Sequence, residues 1–325
     1  MHWQQLQHWW QTSPLRRYWS PAVTAQPLLT DSELQQLHQT ACSPNAVQLQ
    51  VDRDLIHPLL GERTSVFSGS GYEFADNRPY VAGDDTRFIN WRLFARTGQY
   101  YRKLFLEERR PQVWLVVDRG ESMRFGTRVR LKVTQAVMLA VYYLYRAQLQ
   151  QLAIGGVTLE PQAHWFKPTR SNVGIQPLLQ QLISPCPPCS VPVATNELIP
   201  GLRQLQVQLA AGCIILLISD FRELDESHLP ILCALAQSHT VLAYHVLDPI
   251  EETLPEHGQY PVADPQNLTT HYLQCENHPY RLRYEETLRQ QHAQTQLRLT
   301  QAGIRYQRIR ANQNFIIPVP GTQHG

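Results

Sequence analysis

The sequence predicts an α/β protein whose main domain, over residues 111–316, is a doubly wound and mostly parallel sheet. Apolar runs of strand length recur along this stretch, and such continuous runs are typical of strands covered on both faces. Helical patterns separate the runs, and this alternation indicates βαβ units. A small β-rich region over residues 46–110 and an N-terminal helical segment over residues 1–45 are predicted to precede the domain, and residues 317–325 to form a disordered tail.

The elements before residue 111 are predicted from local signals. Two tryptophans and a leucine share one helical face within residues 3–10, and we expect that face to pack on the protein's own body. Thr30 and Glu33 have the spacing of a capping box, which predicts a helix over residues 31–42. Between residues 47 and 110, short apolar runs alternate with glycine and proline turn signals, which favours short strands.

The segment from Gly83 to Arg96 contains two aspartates and three arginines around Trp91 in a short span. We interpret it as an internal clamp of salt bridges that joins the β-rich region to the sheet, with Trp91 as the apolar anchor. A surface for partner recognition is the alternative.

The elements of the main domain follow from apolar periodicity. Strands are predicted over residues 113–117, 152–157, 213–219, 240–247 and 304–309, and helices over residues 128–147, 173–184, 196–210, 227–237 and 283–302. The first of these helices is apolar nearly all round, as expected of an element wedged between the sheet and neighbouring structure. Gly303 supplies the C-terminal stop of the last one.

Composition and charge exclude several function classes. The formal net charge is +2 and the basic residues are scattered among acids, which leaves no basic stripe for nucleic acid. The longest apolar stretch, Val133–Tyr145, is too short to cross a bilayer, and the N-terminus lacks the features of a signal peptide. The six cysteines fit a reducing compartment. We therefore expect a cytoplasmic protein without an integral membrane segment.

Aspartates follow three of the predicted strands, namely Asp118, Asp220 and Asp248. In an open α/β sheet the ligand crevice lies beyond the carboxyl ends of the strands, so these carboxylates can converge there. Convergent carboxylates repel each other unless a cation separates them, and oxygen ligands select a hard ion such as Mg²⁺. Any single aspartate at a strand end is commonly a helix cap, so the magnesium prediction depends on the joint pattern.

Sequence motifs on both sides of residue 111 carry a family resemblance. They are Gly71–Phe74, Arg78–Tyr80, Gly83–Asp85, Arg87, Asn90–Trp91, Ala95–Arg96, Asp118–Met123 and Phe125–Gly126. This pattern resembles the bacterial family called domain of unknown function 58, most densely over residues 61–126 and more loosely to the C-terminal strand. The resemblance implies a von Willebrand factor A-like domain preceded by a small β-rich insertion. It also implies a role as an adaptor or chaperone-like partner of a MoxR-type ATPase of the AAA+ class.

The resemblance also implies a metal-ion-dependent adhesion site with the pattern Asp-x-Ser-x-Ser. Asp118 and Ser122 match it, while Gly120 replaces the middle serine and removes one hydroxyl ligand. Asp220 matches the third ligand loop. The remaining predicted site residues are Thr169 and Ser171, as hydroxyl ligands of the second loop, and Arg119, Glu121 and Arg124, as contacts of the partner.

The leading hypothesis is a non-enzymatic binding module that captures an acidic side chain of a protein client or partner at a metal or pseudo-metal site, with Mg²⁺ as the expected ion. The alternative is a metal-dependent, phosphatase-like hydrolase in which Asp118 is the nucleophile or a ligand. Gly120 opposes it, because the second carboxylate of an Asp-x-Asp pair is missing. A third hypothesis is an interaction protein whose metal site has decayed.

Overall fold

The computed structural model describes residues 26–43, 73–106, 111–127, 129–186, 198–263 and 270–313. These residues divide into two units, one formed by residues 73–106 and the other by the remaining described residues. The predicted tryptophan-rich face at residues 3–10 and the predicted tail at residues 317–325 lie outside the described residues.

Helices and strands alternate along the larger unit. Within the described residues the α-helices are α1 (Asp31–Cys42), α2 (Trp91–Thr97), α3 (Lys132–Leu149), α4 (Gln176–Ile183), α5 (Leu198–Gln208), α6 (Leu229–Ser238) and α7 (His278–Gln301). The strands are β1 (Glu73–Pro79), β2 (Tyr101–Leu106), β3 (Gln112–Asp118), β4 (Ala153–Leu159), β5 (His164–Thr169), β6 (Ile214–Ser219), β7 (Thr240–Leu247), β8 (Gln259–Ala263), β9 (Thr270–Gln274) and β10 (Arg305–Arg310). No helix in these ranges combines the length and the apolar character that a bilayer crossing requires.

Six strands form one sheet in the larger unit, in the order β10-β7-β6-β3-β4-β5. All neighbouring pairs run parallel except β4 and β5. The strands β3 and β6 are buried almost along their whole length, which explains their continuous apolar sequences. The prediction of an α/β domain with a mostly parallel sheet is confirmed, and the predicted small β-rich region before it contains a small antiparallel sheet.

The two edges of the large sheet differ from its centre. β5 is an antiparallel edge strand that the apolar pattern did not predict; it contains Pro168, which an edge strand tolerates because one row of its amides needs no partner. The other edge, β10, carries Arg305, Arg308 and Arg310. The antiparallel pair of β8 and β9 was not predicted either, and α7 begins at His278 instead of residue 283.

Helices cover both faces of the sheet. On one face α1, α3 and α4 pack on the side chains of β3 that include Leu115 and Val117. On the other face α5, α6 and α7 pack on Trp114 and Val116. The helix α3 is buried nearly all round, as its sequence predicts, because it lies between the sheet and α1.

The helix α1 begins at the predicted capping box. The main-chain N of Glu33 donates to Thr30 Oγ1 (3.3 Å), and the main-chain N of Thr30 donates to Glu33 Oε2 (2.8 Å). Leu37 and Ala41 are buried in the same core as α3. The predicted division of the chain separates residues 1–45 from the α/β domain, whereas in the structure α1 is part of that domain.

The strand order reverses at the centre of the sheet. From β3 the chain proceeds to β4 and β5 on one side, and it then returns to β6, β7 and β10 on the other side. Such a reversal leaves a crevice between the carboxyl ends of the two central strands, here β3 and β6, because their connections leave in opposite directions. Asp118 ends β3 and Asp220 follows β6, so both aspartates lie at this switch point.

The smaller unit consists of the antiparallel strands β1 and β2 with α2 between them in the chain. Asp84 accepts hydrogen bonds from Arg78 (2.6 Å) and Arg102 (2.8 Å), so an internal ion-pair network is present. Trp91 is 58% exposed and packs edge to face on Tyr100. The interpretation of Trp91 as an apolar anchor is therefore wrong, because more than half of its side chain is exposed.

Candidate binding site at the carboxyl ends of the strands

Asp118, the last residue of β3, is 4% exposed and has defined partners for both carboxylate oxygens. Its Oδ2 accepts a hydrogen bond from Ser219 Oγ at the end of β6 (2.6 Å), and its Oδ1 accepts one from the main-chain N of Gly120 (2.8 Å). Because β3 and β6 are adjacent and parallel, Asp118 and Ser219 meet where the carboxyl ends of the strands lie.

Asp220 lies beside Asp118 and is held by three donors. They are Lys132 Nζ (2.9 Å to Oδ2), the main-chain N of Arg222 (3.2 Å to Oδ1) and the hydroxyl of Ser122. The structure therefore brings three of the predicted site residues, Asp118, Ser122 and Asp220, to one rim.

A buried lysine lies within this cluster. Lys132 is the first residue of α3, and its side chain is 1% exposed. Besides Asp220, its Nζ contacts Glu251 Oε1 at 2.8 Å, in the 3₁₀ helix that follows β7. The main-chain N of Lys132 donates to the carbonyl O of Phe125 (2.8 Å), so the loop between β3 and α3 folds back on the start of the helix.

Two backbone features define the shape of the loops around this site. At Gly126 a Cβ would lie 2.4 Å from the carbonyl O of Arg130, so a side chain there would displace the loop. Phe221, directly after Asp220, has a φ of +50°, which is strained for an aromatic residue, and its ring is buried on His245. Strained backbone of this kind concentrates at functional sites.

Burial and neighbouring charges shift the pKa values of the site in different directions. Burial, and then the charge of Asp220, raise the pKa of Asp118 from 3.8 to about 6. For Asp220, burial opposes ionisation, but the ammonium of Lys132 outweighs it and the pKa is lowered. For Lys132 the two neighbouring carboxylates outweigh burial and raise its pKa, while burial raises the pKa of Glu251. Lys132 therefore stays charged.

The raised pKa of Asp118 predicts that Asp118→Asn stabilises the protein at neutral pH. Between the unfolded pKa of 3.8 and the folded pKa of about 6, the folded wild type binds more protons, so its stability falls as pH rises. A rise of about two pKa units lowers the free energy of unfolding of wild type by about 3 kcal/mol once Asp118 is ionised. Asp118→Asn has no ionisable group at this position, so it does not undergo this loss. Urea unfolding in EDTA at pH 4.5 to 8 is expected to show a growing advantage of Asp118→Asn that levels off above pH 6.

Asp225→Asn is the matched control, because the hydrogen bond from the Ser227 hydroxyl lowers the pKa of that exposed carboxyl. It is expected to gain no stability as pH rises. A wild type more stable than Asp118→Asn at pH 8 would contradict the predicted cost of the Asp118 charge.

Comparison with known proteins identifies the family. The family model described as "Protein of unknown function DUF58" matches residues 76–294, which is more than half of the chain. The chain is a member of the DUF58 family. The resemblance inferred from its motifs is thereby confirmed.

Relatives of this DUF58 protein have been found in mycobacteria. Uncharacterized protein Rv1480 of Mycobacterium tuberculosis and Uncharacterized protein Mb1516 of Mycobacterium bovis are each 28% identical to it over 250 residues, which cover 76% of this chain and 77% of theirs.

Two solved structures are similar to the chain over part of its length. Conserved hypothetical protein BatB from Bacteroides thetaiotaomicron covers 62% of this chain and 90% of its own, at 13% identity and a TM-score of 0.35. An aerotolerance-related membrane protein from Bacteroides fragilis, with multiple mutations to serines, covers 61% and 91%, at 15% identity and a TM-score of 0.37.

The predicted magnesium ion does not fit the residues that meet at the rim. Asp220, the expected third-loop ligand, already binds the ammonium of Lys132, and a divalent ion beside that ammonium would be repelled. Gly120 supplies no hydroxyl. Among the described residues, no three histidine, cysteine, aspartate or glutamate side chains form a group that could hold a metal ion.

Thr169 and Ser171 do not join the rim. Thr169 pairs with Ile154 near the start of β4, whereas Asp118 pairs with Leu159 at its end. Five residues along a strand separate the two ends by about 16 Å. The prediction that Thr169 and Ser171 complete the metal site is wrong, because β5 is antiparallel and its carboxyl end lies beside the amino ends of the parallel strands.

Arg119 is a structural residue and not a partner contact. Its side chain is 1% exposed and binds the carboxylate of Glu160 (3.0 Å). Its Nη1 donates to the carbonyl O of Gln181 and of Leu182, and its Nη2 donates to that of Ser184. These carbonyls end α4, where a cation binds favourably, so the prediction of a partner contact at Arg119 is wrong.

The other two predicted partner contacts differ in their surroundings. Arg124 Nε donates to the carbonyl O of Arg119 (3.0 Å), and its side chain is 11% exposed, so most of it is engaged inside the protein and the predicted contact is not supported. Glu121 is half-buried at the start of the 3₁₀ helix Glu121–Arg124, and its partner role stays a prediction.

Asp248, the third aspartate at a strand end, is a cap. Its carboxylate accepts hydrogen bonds from the main-chain N of Thr127 (2.8 Å) and of Ile250 (3.0 Å), as well as from the Thr127 hydroxyl. It is fully buried, so it orders the loop but is not offered to a ligand.

Sequence reasoning missed Lys132, Ser219 and Glu251 as site residues. Lys132 is a charged residue at the start of an apolar helix, and this position was the signal available in the sequence. Ser219 is the only hydroxyl residue of the otherwise apolar strand β6. Glu251 had no signal of its own, because only the fold brings it to Lys132.

Proposed function

We propose that this DUF58 protein is a non-enzymatic adaptor or chaperone-like partner of a MoxR-type AAA+ ATPase, built on a von Willebrand factor A-like domain. The observation that carries the proposal is the loop between β3 and α3. It is fixed at the switch point of the sheet and presents two exposed apolar side chains, Phe125 (41% exposed) and Val129 (47% exposed). The two partners named in this proposal, a MoxR-type ATPase and a protein client, are inferred from the family resemblance.

The buried state of Asp118 favours binding over catalysis. A nucleophile must reach its substrate, whereas Asp118 is 4% exposed and both of its carboxylate oxygens accept hydrogen bonds within the protein. Asp220 is occupied by Lys132, so it is not available as a base. The hydrolase alternative therefore receives no support from the rim residues.

A fixed loop with apolar side chains is suited to protein binding. The hydrogen bond from the Lys132 main chain to Phe125 and the close packing of Gly126 hold the loop before a partner arrives. Preorganisation of this kind lowers the entropy cost of association, and exposed aromatic side chains commonly dominate binding energy. The rim is thus the proposed partner surface.

The proposed location is the cytoplasm. Five cysteines in the described part of the chain, Cys42, Cys186, Cys213, Cys233 and Cys275, have free thiols. Free thiols are typical of proteins in reducing compartments.

The adaptor role is tested by the affinity of the purified chain for the MoxR-type ATPase of the same genome, held in a nucleotide-trapped state. The double substitution Phe125→Ser, Val129→Ser is expected to raise Kd about tenfold or more, because it removes the exposed apolar contacts of the rim. Val173→Ser, Val207→Ser is the matched control, since these valines are 81% and 86% exposed and lie outside the rim loop. The control is expected to bind like wild type.

Two outcomes would count against the proposed function. One is no saturable binding of the ATPase by wild type in any nucleotide state. The other is turnover of a generic phosphate ester that is abolished by Asp118→Ala, which would instead support the hydrolase alternative.

A further inference from the structure

The rim contains more negative than positive charge, and its one buried ammonium is placed between carboxylates. Asp118, Asp220 and Glu251 come from the ends of three neighbouring parallel strands, β3, β6 and β7. The ammonium of Lys132 bridges two of them, at 2.9 Å from Asp220 and 2.8 Å from Glu251. These are distances of charge-assisted hydrogen bonds, so the contact is close and directional.

The place of Lys132 in its helix is unfavourable for a cation. The amino end of a helix carries partial positive charge and attracts anions, and Lys132 is the first residue of α3. Its side chain is 1% exposed, so water does not compensate for that position. The carboxylates of Asp220 and Glu251 are therefore what stabilises the ammonium in this place.

We propose that the ammonium of Lys132 is a tethered cation that replaces a divalent metal ion at this rim. It neutralises Asp220 and Glu251 and links the start of α3 to the loops after β6 and β7. The rim is then assembled permanently, with no requirement for dissolved metal.

Gly120 agrees independently with this replacement. A Cβ at this position would lie 3.0 Å from Asp118 Oδ1, which the main-chain N of Gly120 binds at 2.8 Å. A serine there would make a tight contact, so the Asp118 carboxylate would have to shift by a few tenths of an ångström from its present position. The loop is therefore fitted to a directly hydrogen-bonded carboxylate, without the hydroxyl of the adhesion-site pattern.

The test is a titration of the whole chain with Mn²⁺, followed by calorimetry and by the spin-resonance signal of free Mn²⁺. Wild type is expected to show no saturable binding of Mn²⁺ up to a concentration of about 10 mM. This limit is high enough to detect even weak sites, because the weak Ca²⁺ sites of extracellular modules have Kd values of about 0.1–1 mM. Lys132→Met is expected to bind one Mn²⁺ with a Kd of about 0.1 mM or lower. In wild type the ammonium separates Asp220 from Glu251, and its removal allows the two carboxylates to close on a hard cation. Adding Asp220→Asn to Lys132→Met is expected to remove this binding.

Lys167→Met is the matched control, since Lys167 is exposed on β5, and it is expected to behave like wild type. Saturable Mn²⁺ binding by wild type would overturn the proposal, as would a folded Lys132→Met that binds no Mn²⁺. If Lys132→Met does not fold in EDTA, recovery of its folded circular-dichroism signal on addition of Mn²⁺ is the expected result, and failure to recover would overturn the proposal. None of these readouts involves the ATPase, so failure of the adaptor role would be seen separately.

Discussion

Lys132→Met is expected to lower the free energy of unfolding by about 3–5 kcal/mol in buffer without divalent cations. The substitution leaves the buried carboxylate of Asp220 and the part-buried carboxylate of Glu251 without their counter-ion. Removing one member of a buried ion pair has a cost of this size. The corresponding fall in Tm is about 6–20 °C for a domain of this length. Urea unfolding and thermal melts in EDTA measure both quantities.

The double variant Lys132→Met, Asp220→Asn separates charge from packing. Replacing both partners removes most of the uncompensated charge, so this variant is expected to recover much of the stability that Lys132→Met loses. If the double variant were as unstable as the single one, the uncompensated charge of Asp220 would not be the cause of the loss.

Arg119→Leu is expected to lower the free energy of unfolding by about 3–5 kcal/mol, the typical cost of breaking a buried ion pair from one side. The guanidinium binds the carboxylate of Glu160 and three main-chain carbonyls at the end of α4, those of Gln181, Leu182 and Ser184. In the variant all four groups lose this donor. Arg119→Lys is expected to recover little, because an ammonium cannot reproduce the planar set of donors. Urea unfolding of both variants is the measurement.

Arg170→Leu is the matched control for Arg119→Leu, since Arg170 is exposed and directly follows β5, away from the carboxyl ends of the parallel strands. It is expected to leave stability within about 0.5 kcal/mol of wild type. A stable Arg119→Leu that loses affinity for the ATPase would reverse the assignment and restore Arg119 as a partner contact.

Much of the sheet could be predicted from the sequence because its central strands are apolar over their whole length. Covered strands such as β3 and β6 have no other way to bury both faces, so their pattern is strong. β5 lacked that signal, since it is half-exposed and contains Pro168. Its direction could not be read locally, and the misplacement of Thr169 and Ser171 follows from this.

The candidate site was predictable where the main chain alone determines position. Asp118 and Asp220 follow adjacent parallel strands, so the topology of the sheet brings them together whatever their side chains contact. The partners of those side chains depend on packing over long sequence distances. Lys132 is far from Asp220 and Glu251 in the chain, and the burial of Arg119 depends on where α4 ends.

The chemistry of the sheet edges limits which complexes this DUF58 protein can enter. A peptide that extends a sheet needs a continuous row of free amides and carbonyls on an edge strand. Pro168 interrupts that row on β5, and the arginines of β10 give its edge the charged side chains that discourage strand pairing. We therefore expect the large sheet not to accept a ligand strand at either edge, and the domain to resist self-association into fibrils through this sheet.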